Sequence, residues 1–375
     1  MNKKKITIIL MVFLAIFSTI MLVVNKDNVE ITNEVGNKSK KSNNLLTMNL
    51  EQTAGAGDYK TVTQSEWPTE GYKFNTELSR CENGSELSWD DVNKKILMSG
   101  VSADKCYVYF DIARFDKLCN TSTLACHVAK LYTGTQGENG IYYHNTSLTN
   151  GAGDNNYRYA GANPNNYICL GSDATTCPDD NLFRIIGVFG DKVKVIKDKS
   201  VVKMHWDTSN YNTWSISSLN TYLNGTYLTS LGTLAEKIAT TTWKVRGGSS
   251  TYLYDAPKIA YQYEVGSSAL TTTNDAKIGL MYVSDYGFAA DSSGWTTKLS
   301  SYNSNNSKNW LYLGSNEWTI SRNSGTASNA FDVFSGYVLN RNVIISYAVR
   351  PSFNLESSVK YVSGSGSMSD PVRVN

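Results

Sequence analysis

The strongest constraint on this chain is an uncharged run of nineteen residues near its N-terminus, Ile6–Val24. At ~1.5 Å per residue, a helix of this length just spans a hydrocarbon core of ~30 Å. Lysines occupy positions 3–5, and basic residues favour the cytoplasmic side of a membrane. Because no small-residue cleavage site follows the run, residues 1–24 are expected to be an uncleaved signal-anchor rather than a cleaved signal peptide. The protein is then expected to cross the cell membrane once, with its C-terminal part outside the cell.

Cysteine usage agrees with an extracellular location. All six cysteines precede residue 178, and an even number of closely spaced cysteines in an exported chain predicts disulfides. Zinc is the alternative, but no CxxC pair occurs, and His127 and His144 lack the spacing of zinc ligands. No metal is therefore expected. Among the roughly 15 possible connectivities, proximity favours Cys81–Cys106, Cys119–Cys126 and Cys169–Cys177.

The composition argues against nucleic acid as a partner. The formal net charge is +2 and only 18% of residues are charged, below the ~25% usual in soluble domains. No basic helix or aromatic-basic pattern is present. A surface rich in Tyr, Asn, Ser and Thr suits polar, uncharged ligands. The expected partners are the membrane, through residues 6–24, and a glycan or protein ligand.

The first half of the chain predicts a stalk, a small module and a connecting helix. Residues 25–57 are polar and mixed and predict a polar stalk. Residues 58–115 alternate short strands with turns and predict a small disulfide-bonded β-sandwich module. Because its core is small, a Cys81–Cys106 bridge is expected to stabilise it by roughly 3 kcal/mol. Residues 116–140 predict a linker helix, capped by Ser122 or Thr123, with Leu124, Val128 and Leu131 on one face.

Residues 141–375 predict one larger mixed domain, which makes the fold class α+β. Leu182–Phe189 and Lys192–Lys199 predict a hairpin, and the alternation in the second strand predicts one face open to water. Two helices are expected next, separated by Asn224-Gly225. Their apolar faces carry Ile216, Leu219 and Leu223 in the first, and Leu231, Leu234 and Ile238 in the second.

Three segments of the small module resemble a known bacterial surface module. They are Trp67-Pro-Thr-Glu-Gly-Tyr-Lys-Phe-Asn75, Cys81-Glu-Asn-Gly84 and Asp104-Lys-Cys-Tyr-Val-Tyr-Phe-Asp111. They look like a module of uncharacterised surface proteins in Gram-positive and related bacteria. In those proteins the module precedes a larger C-terminal domain, and the resemblance implies no catalytic residues.

A second resemblance covers roughly residues 140–375. Its marks, in order, are Phe183-Arg-Ile-Ile-Gly, Tyr222-Leu-Asn, Gly279-Leu-Met-Tyr-Val-Ser-Asp-Tyr-Gly, Trp318-Thr-Ile-Ser-Arg, Val349-Arg-Pro-Ser-Phe-Asn-Leu, and Gly-x-Gly before Asp370-Pro371. In this order they resemble a C-type-lectin-like domain of unknown function, related to the sulfatase-modifying-factor branch. The resemblance implies two helices and twisted antiparallel sheets.

The chemistry of the related enzymes and lectins is missing from the sequence. The formylglycine-generating branch needs reactive cysteines in its C-terminal core, and no cysteine follows Cys177. The related iron-dependent synthases need a histidine-rich site, whereas the three histidines stand apart at 127, 144 and 205. Asn163-Pro164-Asn165 comes too early for a calcium-dependent sugar site, and the residues around Asp154 lack the spacing of a calcium loop. No catalytic residue and no cofactor is expected.

Binding residues are expected in the stretch Trp310–Leu355. Aromatic strand fragments alternate there with Asn and Gly, a pattern typical of loops that carry binding residues. In the alternative interpretation the two tryptophans belong to the core and Arg350 is a buried structural cation. The candidate binding residues are Trp310, Trp318, Arg322, Asn323, Tyr337 and Arg341.

These observations predict an adhesin-like binding protein that recognises a surface glycan or protein without catalysis. Two other functions remain open from the sequence. One is a sulfatase-modifying-factor-like enzyme with an altered site, and the other is a structural, pilus-like surface subunit.

Overall fold

The computed structural model describes residues 29–32, 45–53, 56–63, 68, 71–90, 93–100, 103–119, 121–266, 268–269 and 272–375. The predicted membrane segment Ile6–Val24 lies outside these residues. Within them, no helix combines the length and apolar character needed to cross a bilayer. The chain divides into an N-terminal unit, Met1–Leu118, and a C-terminal unit, Cys119–Asn375. Helices and strands are mixed along the described chain, so the fold is α+β as predicted.

The described residues of the N-terminal unit form two sheets. A three-stranded sheet has the order β1-β7-β6, and a five-stranded sheet has the order β3-β2-β8-β4 with β5 also paired to β8. The strands are β1 Val29–Thr32, β2 Leu45–Glu51, β3 Tyr59–Val62, β4 Tyr72–Phe74, β5 Arg80–Cys81, β6 Glu86–Asp90, β7 Lys95–Ser99 and β8 Lys105–Ile112, and a short helix Phe115–Leu118 follows. Alternation in β8 buries Val108 and Phe110, and these residues share one core with Ile96 of β7.

The structure differs from the predicted polar stalk over Leu45–Glu51. This segment forms β2, which pairs in parallel with β8 from Leu45↔Lys105 to Leu50↔Phe110. Met48 and Leu50 are buried in the core. Apolar residues at every second position give the segment a strand pattern, but the polar residues on both sides of it favoured a stalk. The small module therefore begins earlier than residue 58.

The three predicted disulfides form in the structure, as Cys81–Cys106, Cys119–Cys126 and Cys169–Cys177. Cys81 and Cys106 face each other in the pairing of β5 with β8. Among the described residues, the one group of side chains with metal-ligand potential is Cys81, Asp104 and Cys106. Since its two sulfurs are bonded to each other, this group does not offer thiolates to a metal.

The C-terminal unit is built on a nine-stranded sheet and a five-stranded sheet, together with a two-stranded sheet. The nine-stranded sheet contains β9 Ile141–Tyr143, β10 Tyr157–Tyr159, β11 Tyr167–Cys169, β12 Leu182–Phe189, β13 Lys192–Lys197, β17 Ile278–Gly279, β22 Ser352–Asn354, β23 Tyr361–Ser363 and β24 Val372–Val374. The five-stranded sheet contains β14 Val202–His205, β18 Glu317–Arg322, β19 Asn329–Phe334, β20 Tyr337–Asn342 and β21 Ser346–Val349, and the two-stranded sheet pairs β15 Thr241–Lys244 with β16 Thr273–Ala276.

The α-helices of the C-terminal unit are short. They are Leu124–Lys130, Ser218–Tyr222, Leu228–Ser230, Ser250–Leu253, Pro257–Glu264 and Val283–Phe288. The last two position the functional site described below, because the side chain of Glu264 accepts hydrogen bonds from the first N–H groups of the helix Val283–Phe288.

The predicted linker over residues 116–140 belongs largely to the C-terminal unit. Its helix runs from Leu124 to Lys130, and the side chain of Thr123 caps it by accepting the N–H of Cys126, as predicted. Leu124 and Val128 are buried. The apolar face that indicated a helix therefore serves as packing surface in this unit.

The predicted break at Asn224-Gly225 is wrong. A π-turn, Leu223–Tyr227, continues the helix Ser218–Tyr222 into Leu228–Ser230. The Asn224 side chain accepts the N–H of Ile278 and donates to its carbonyl oxygen, at 2.9 and 2.8 Å. Contact with a distant strand has thus overridden a local turn preference. The second predicted helix is a 3-10 segment, Gly232–Lys237.

Two glycine substitutions test this architecture in opposite directions. A Cβ at Gly187 would collide with the backbone carbonyl of Tyr157 on the neighbouring strand, whereas a Cβ at Gly225 meets open space. We expect Gly187→Ala to lower the free energy of unfolding by about 1–3 kcal/mol. Gly225→Ala lies in a helical run and should raise it by about 0.5–1 kcal/mol. Thermal unfolding measures both, and equal melting temperatures for the two variants would contradict the described β10–β12 contact.

Candidate functional site

The two candidate tryptophans are core residues. Trp310 and Trp318 are 3% and 1% exposed. The indole N–H of Trp310 donates to the carbonyl of Tyr159 at 3.0 Å, and that of Trp318 donates to the carbonyl of Met204 at 3.1 Å. Their rings are therefore part of the packing inside the C-terminal unit.

Arg322 and Asn323 take part in a polar network around the β18–β19 connection. Arg322 donates to the carbonyl of Arg246 at 3.0 Å, and Asn323 donates to the side-chain oxygen of Asn340 at 3.1 Å. Asn212 joins the same network by donating to the carbonyl of Asn323 at 3.0 Å. These polar groups are largely engaged by the protein itself.

Tyr337 and Arg341 lie on β20, where each is partly exposed. The Arg341 guanidinium sits 4.2 Å from the centre of the Phe334 ring. Asp332 of β19 is fully buried, and its two carboxylate oxygens have no hydrogen-bond partner among the described residues. Burial raises the pKa of Asp332 to about 8, and the charge of Arg341 opposes the rise. The six candidates thus occupy three different settings in the structure.

A different cluster of polar residues surrounds a cavity of about 230 Å³. The cavity lies among β13, β22, the two-stranded sheet β15–β16 and the helices Pro257–Glu264 and Val283–Phe288. We call it the charged cavity. Its charged lining is Asp154, Arg158, Lys194, Lys244 and Asp285, and its aromatic lining is Phe189, Trp243, Tyr261 and Tyr282.

Asp154 and Arg158 form a two-point ion pair on one side of the charged cavity. The guanidinium donates to both carboxylate oxygens, at 2.8 and 2.5 Å. Burial by itself raises the pKa of Asp154, but the charge and hydrogen bonds of Arg158 outweigh burial and hold this pKa well below its usual value. The Arg158 guanidinium also stacks within 5.3 Å of the Tyr261 ring centre. Asp154 is therefore an acceptor that stays ionised.

Lys194 and Asp285 form the second ion pair. The Lys194 ammonium lies 2.5 Å from the Asp285 carboxylate, and both side chains are 5% exposed. The same carboxylate oxygen accepts the backbone N–H of Tyr282 at 2.8 Å. The predicted exposed face of the second hairpin strand is thus wrong, because Lys194 and Lys197 of β13 are both buried.

Asn354 and the tyrosines supply neutral polar groups. The amide nitrogen of Asn354 donates to the hydroxyl of Thr241 at 3.0 Å, while its buried oxygen has no partner among the described residues. Asn354 faces Lys194 directly in the pairing of β13 with β22. Burial raises the pKa of Tyr261 and neighbouring Asp154 adds to the rise, so the phenol stays a neutral donor and acceptor.

Glu264 lies behind the wall of the charged cavity. It is buried, and it accepts the N–H groups of Val283 and Ser284, each at 2.9 Å, as well as the hydroxyl of Ser321. Burial raises its pKa to about 7, although the hydrogen bonds from Ser284 and Val283 oppose the rise. This carboxyl group changes charge near neutral pH.

The cysteines and histidines are dispersed. All six cysteines are disulfide-bonded, so none is a free thiol. His127 stacks on Tyr361, and His144 is buried between aromatic rings with its Nδ1 accepting the N–H of Ala152 at 3.1 Å. His205 is exposed on β14.

Comparison with protein-family models, with curated proteins and with solved structures finds no match to this chain.

The sequence did not indicate the charged cavity. The sequence around Asp154 suggests at most a calcium ligand, and the alternation around Lys194 predicts a strand face open to water. Arg158 lies four residues from its partner, but Asp285 lies 91 residues from Lys194. The sole local indication is the presence of three lysines in a strand otherwise made of Val and Ile.

The raised pKa of Glu264 predicts a pH-dependent stability. The folded protein holds this proton more tightly than the unfolded chain, whose ordinary value is near 4.5. The bound proton adds on the order of 3 kcal/mol to the free energy of unfolding below that value. This added stability is lost as pH rises through about 7. Glu264→Gln cannot ionise, so its melting temperature should depend less on pH between 5 and 8. An unchanged pH slope in this variant would contradict the assignment.

Asp332 allows a second test, with an exposed aspartate as control. The carboxyl is held neutral in the fold, so ionisation near its pKa of about 8 should destabilise the protein as pH rises. Asp332→Asn removes the ionisable group. We expect the melting temperature of this variant, relative to that of the unmodified protein, to increase as pH rises from 6 to 9. Asp191→Asn, at an exposed turn, should show no such trend.

Proposed function

We propose that this chain is a membrane-anchored extracellular binding protein whose C-terminal unit takes one uncharged sugar residue of a surface glycan into the charged cavity. The observation that carries the proposal is the lining of this cavity. Its two buried ion pairs are satisfied internally and stand beside four aromatic rings. Such a lining offers a ligand hydrogen bonds and apolar surface, and the opposite charges within each ion pair cancel.

The internal ion pairs favour an uncharged ligand. A charged ligand group would have to displace Arg158 from Asp154 or Lys194 from Asp285 and leave a buried charge alone, or draw the Lys244 ammonium away from the carbonyl oxygens of Val265 and Gly266. Breaking a buried pair in this way costs about 3–5 kcal/mol. A hydroxyl group can instead share the remaining hydrogen-bonding positions of the Asp154 carboxylate and of the Asn354 oxygen.

Size and shape favour a single sugar residue. The cavity of about 230 Å³ is smaller than the ~300–1,000 Å³ of pockets for drug-sized ligands. A sugar ring has one apolar face and several hydroxyls. Tyr and Trp supply rigid contact area for the apolar face, and Trp243, Tyr261 and Tyr282 provide it here.

The fold and location in this proposal build on the sequence resemblance. The order of the hairpin β12–β13, the helical segments, the irregular region and the closing strands β18–β24 supports a C-type-lectin-like C-terminal unit. The three disulfides support an oxidising, extracellular environment, and Ile6–Val24 supplies the proposed membrane anchor.

An enzyme of the sulfatase-modifying-factor type is distinguishable from this binder. That chemistry relies on reactive cysteines, whereas all six cysteines here are in disulfides. Incubation with a cysteine-containing peptide, oxygen and metal should give no peptide oxidation, and turnover would contradict the proposal.

A glycan array with the full chain in detergent tests binding. Tyr261→Phe removes the phenol oxygen from the cavity wall, and losing one hydrogen bond to a neutral ligand weakens binding by about 3- to 10-fold. The matched control is Tyr263→Phe, on the same helix but stacked on Tyr252 with ring centres 3.5 Å apart. This control should bind as the unmodified protein does.

Three outcomes would contradict the proposal. They are hits restricted to charged glycans, equal binding by the two tyrosine variants, and an absence of glycan binding. In the last case, capture of matrix proteins would indicate a protein ligand, and no capture at all would favour the structural subunit. A soluble fragment used for these measurements must begin before Leu45, because β2 is part of the N-terminal core.

A further inference from the structure

The contact between Lys194 and Asp285 brings an amine and a carboxyl group into reactive proximity. The Lys194 nitrogen lies 2.5 Å from a carboxylate oxygen of Asp285, with both side chains 5% exposed. The geometry points to an intramolecular amide bond between Lys194 and Asp285, which would join β13 to the helix Val283–Phe288.

Both reacting groups are held in place by the structure around them. Lys194 is on a strand paired on both sides, opposite Gly187 of β12 and Asn354 of β22. Asp285 is fixed because its Oδ2 accepts the N–H of Tyr282 at 2.8 Å, in the capping box of the helix. Two reacting groups held side by side in this way react as fast as if one group were present at a concentration of ~10⁵–10⁸ M.

The surroundings keep water away from the contact between Lys194 and Asp285. The ring centres of Tyr282, Trp243 and Phe189 lie 4.5, 5.4 and 5.7 Å from the Lys194 nitrogen and shield it from water. These rings also attract an ammonium group, but that attraction is smaller than the desolvation penalty of a buried ion pair. An amide carries no such penalty.

The step balances without a co-reactant. A proton first passes from the Lys194 ammonium to the Asp285 carboxylate, which leaves a neutral amine and a neutral acid. The amine lone pair attacks Cγ, and the negative charge that forms on Oδ2 receives the Tyr282 N–H. Proton transfer from nitrogen to the other oxygen then breaks its C–O bond, so a C–N bond forms and one water leaves. Both residues line the charged cavity, which gives this water an exit.

The cross-link is independent of the proposed ligand. An amide at this position carries no charge, and the ion pair that it replaces has no net charge. Glycan binding and bond formation therefore succeed or fail separately.

Peptide mapping of the full chain, purified in detergent, tests the bond. After reduction, denaturation and trypsin digestion, tandem mass spectrometry should find a branched peptide that contains Lys194 and Asp285 and is lighter by one water than its two parts. Lys194→Arg should abolish this peptide. Lys197→Arg is the matched control, because Lys197 is buried on the same strand but donates only to the carbonyls of Asp179 and Leu182, and it should retain the branched peptide.

The unmodified protein decides the question even where a variant fails to fold. Linear peptides alone, with Lys194 cleaved normally by trypsin, would overturn the proposal. A branched peptide lighter by one ammonia would also overturn it, because that loss assigns the bond to Asn354, which faces Lys194 across the β13–β22 pairing. A branched peptide that persists in Lys194→Arg would exclude Lys194 as the donor.

Discussion

The contact between Lys194 and Asp285 organises the C-terminal unit because it satisfies two charges that neither partner could bury alone. The two residues are 91 positions apart, so the contact exists only when β13 and the helix Val283–Phe288 are both in place. The Asp285 carboxylate also accepts the N–H of Tyr282, and Trp243 brings the two-stranded sheet β15–β16 against the same lysine. An unpaired charge at this depth would cost several kcal/mol. The two sheets and the helix that meet at this contact therefore depend on one another.

The same principle is repeated at other buried cations of the C-terminal unit. Arg350, a structural cation only in the alternative interpretation of the sequence, pairs with Glu317 at 2.7 Å in the interior. Arg184 instead donates to the side-chain oxygen of Asn166 at 2.6 Å and stacks on the Tyr167 ring at 3.8 Å, and burial lowers its pKa to about 10. Within a chain of modest charge content, each of these buried cations is thus satisfied by a partner inside the protein.

Features that depend on near neighbours in sequence were predictable. The disulfides followed from spacing, and the Thr123 cap followed from a hydroxyl before an apolar helical face. Features that depend on distant partners were not. The Asn224-Gly225 pair favours a turn locally, but hydrogen bonds to Ile278 keep it helical. The stretch Trp310–Leu355 shows the same limit. Its local pattern predicts a binding surface, but its tryptophans pack inside and the charged cavity is assembled largely from residues outside it.

The parallel pairing of β2 with β8 has a mechanical consequence. Going along the chain, β2 follows β1 near the start of the N-terminal unit, and β8 is the last strand of that unit. Because the two strands run parallel, tension between the N-terminal end of β2 and the C-terminal end of β8 pulls them in opposite directions along their length. The hydrogen bonds between Leu45 and Leu50 on β2 and Lys105 and Phe110 on β8 then share the load together instead of opening one by one. The small unit is built to bear tension in shear.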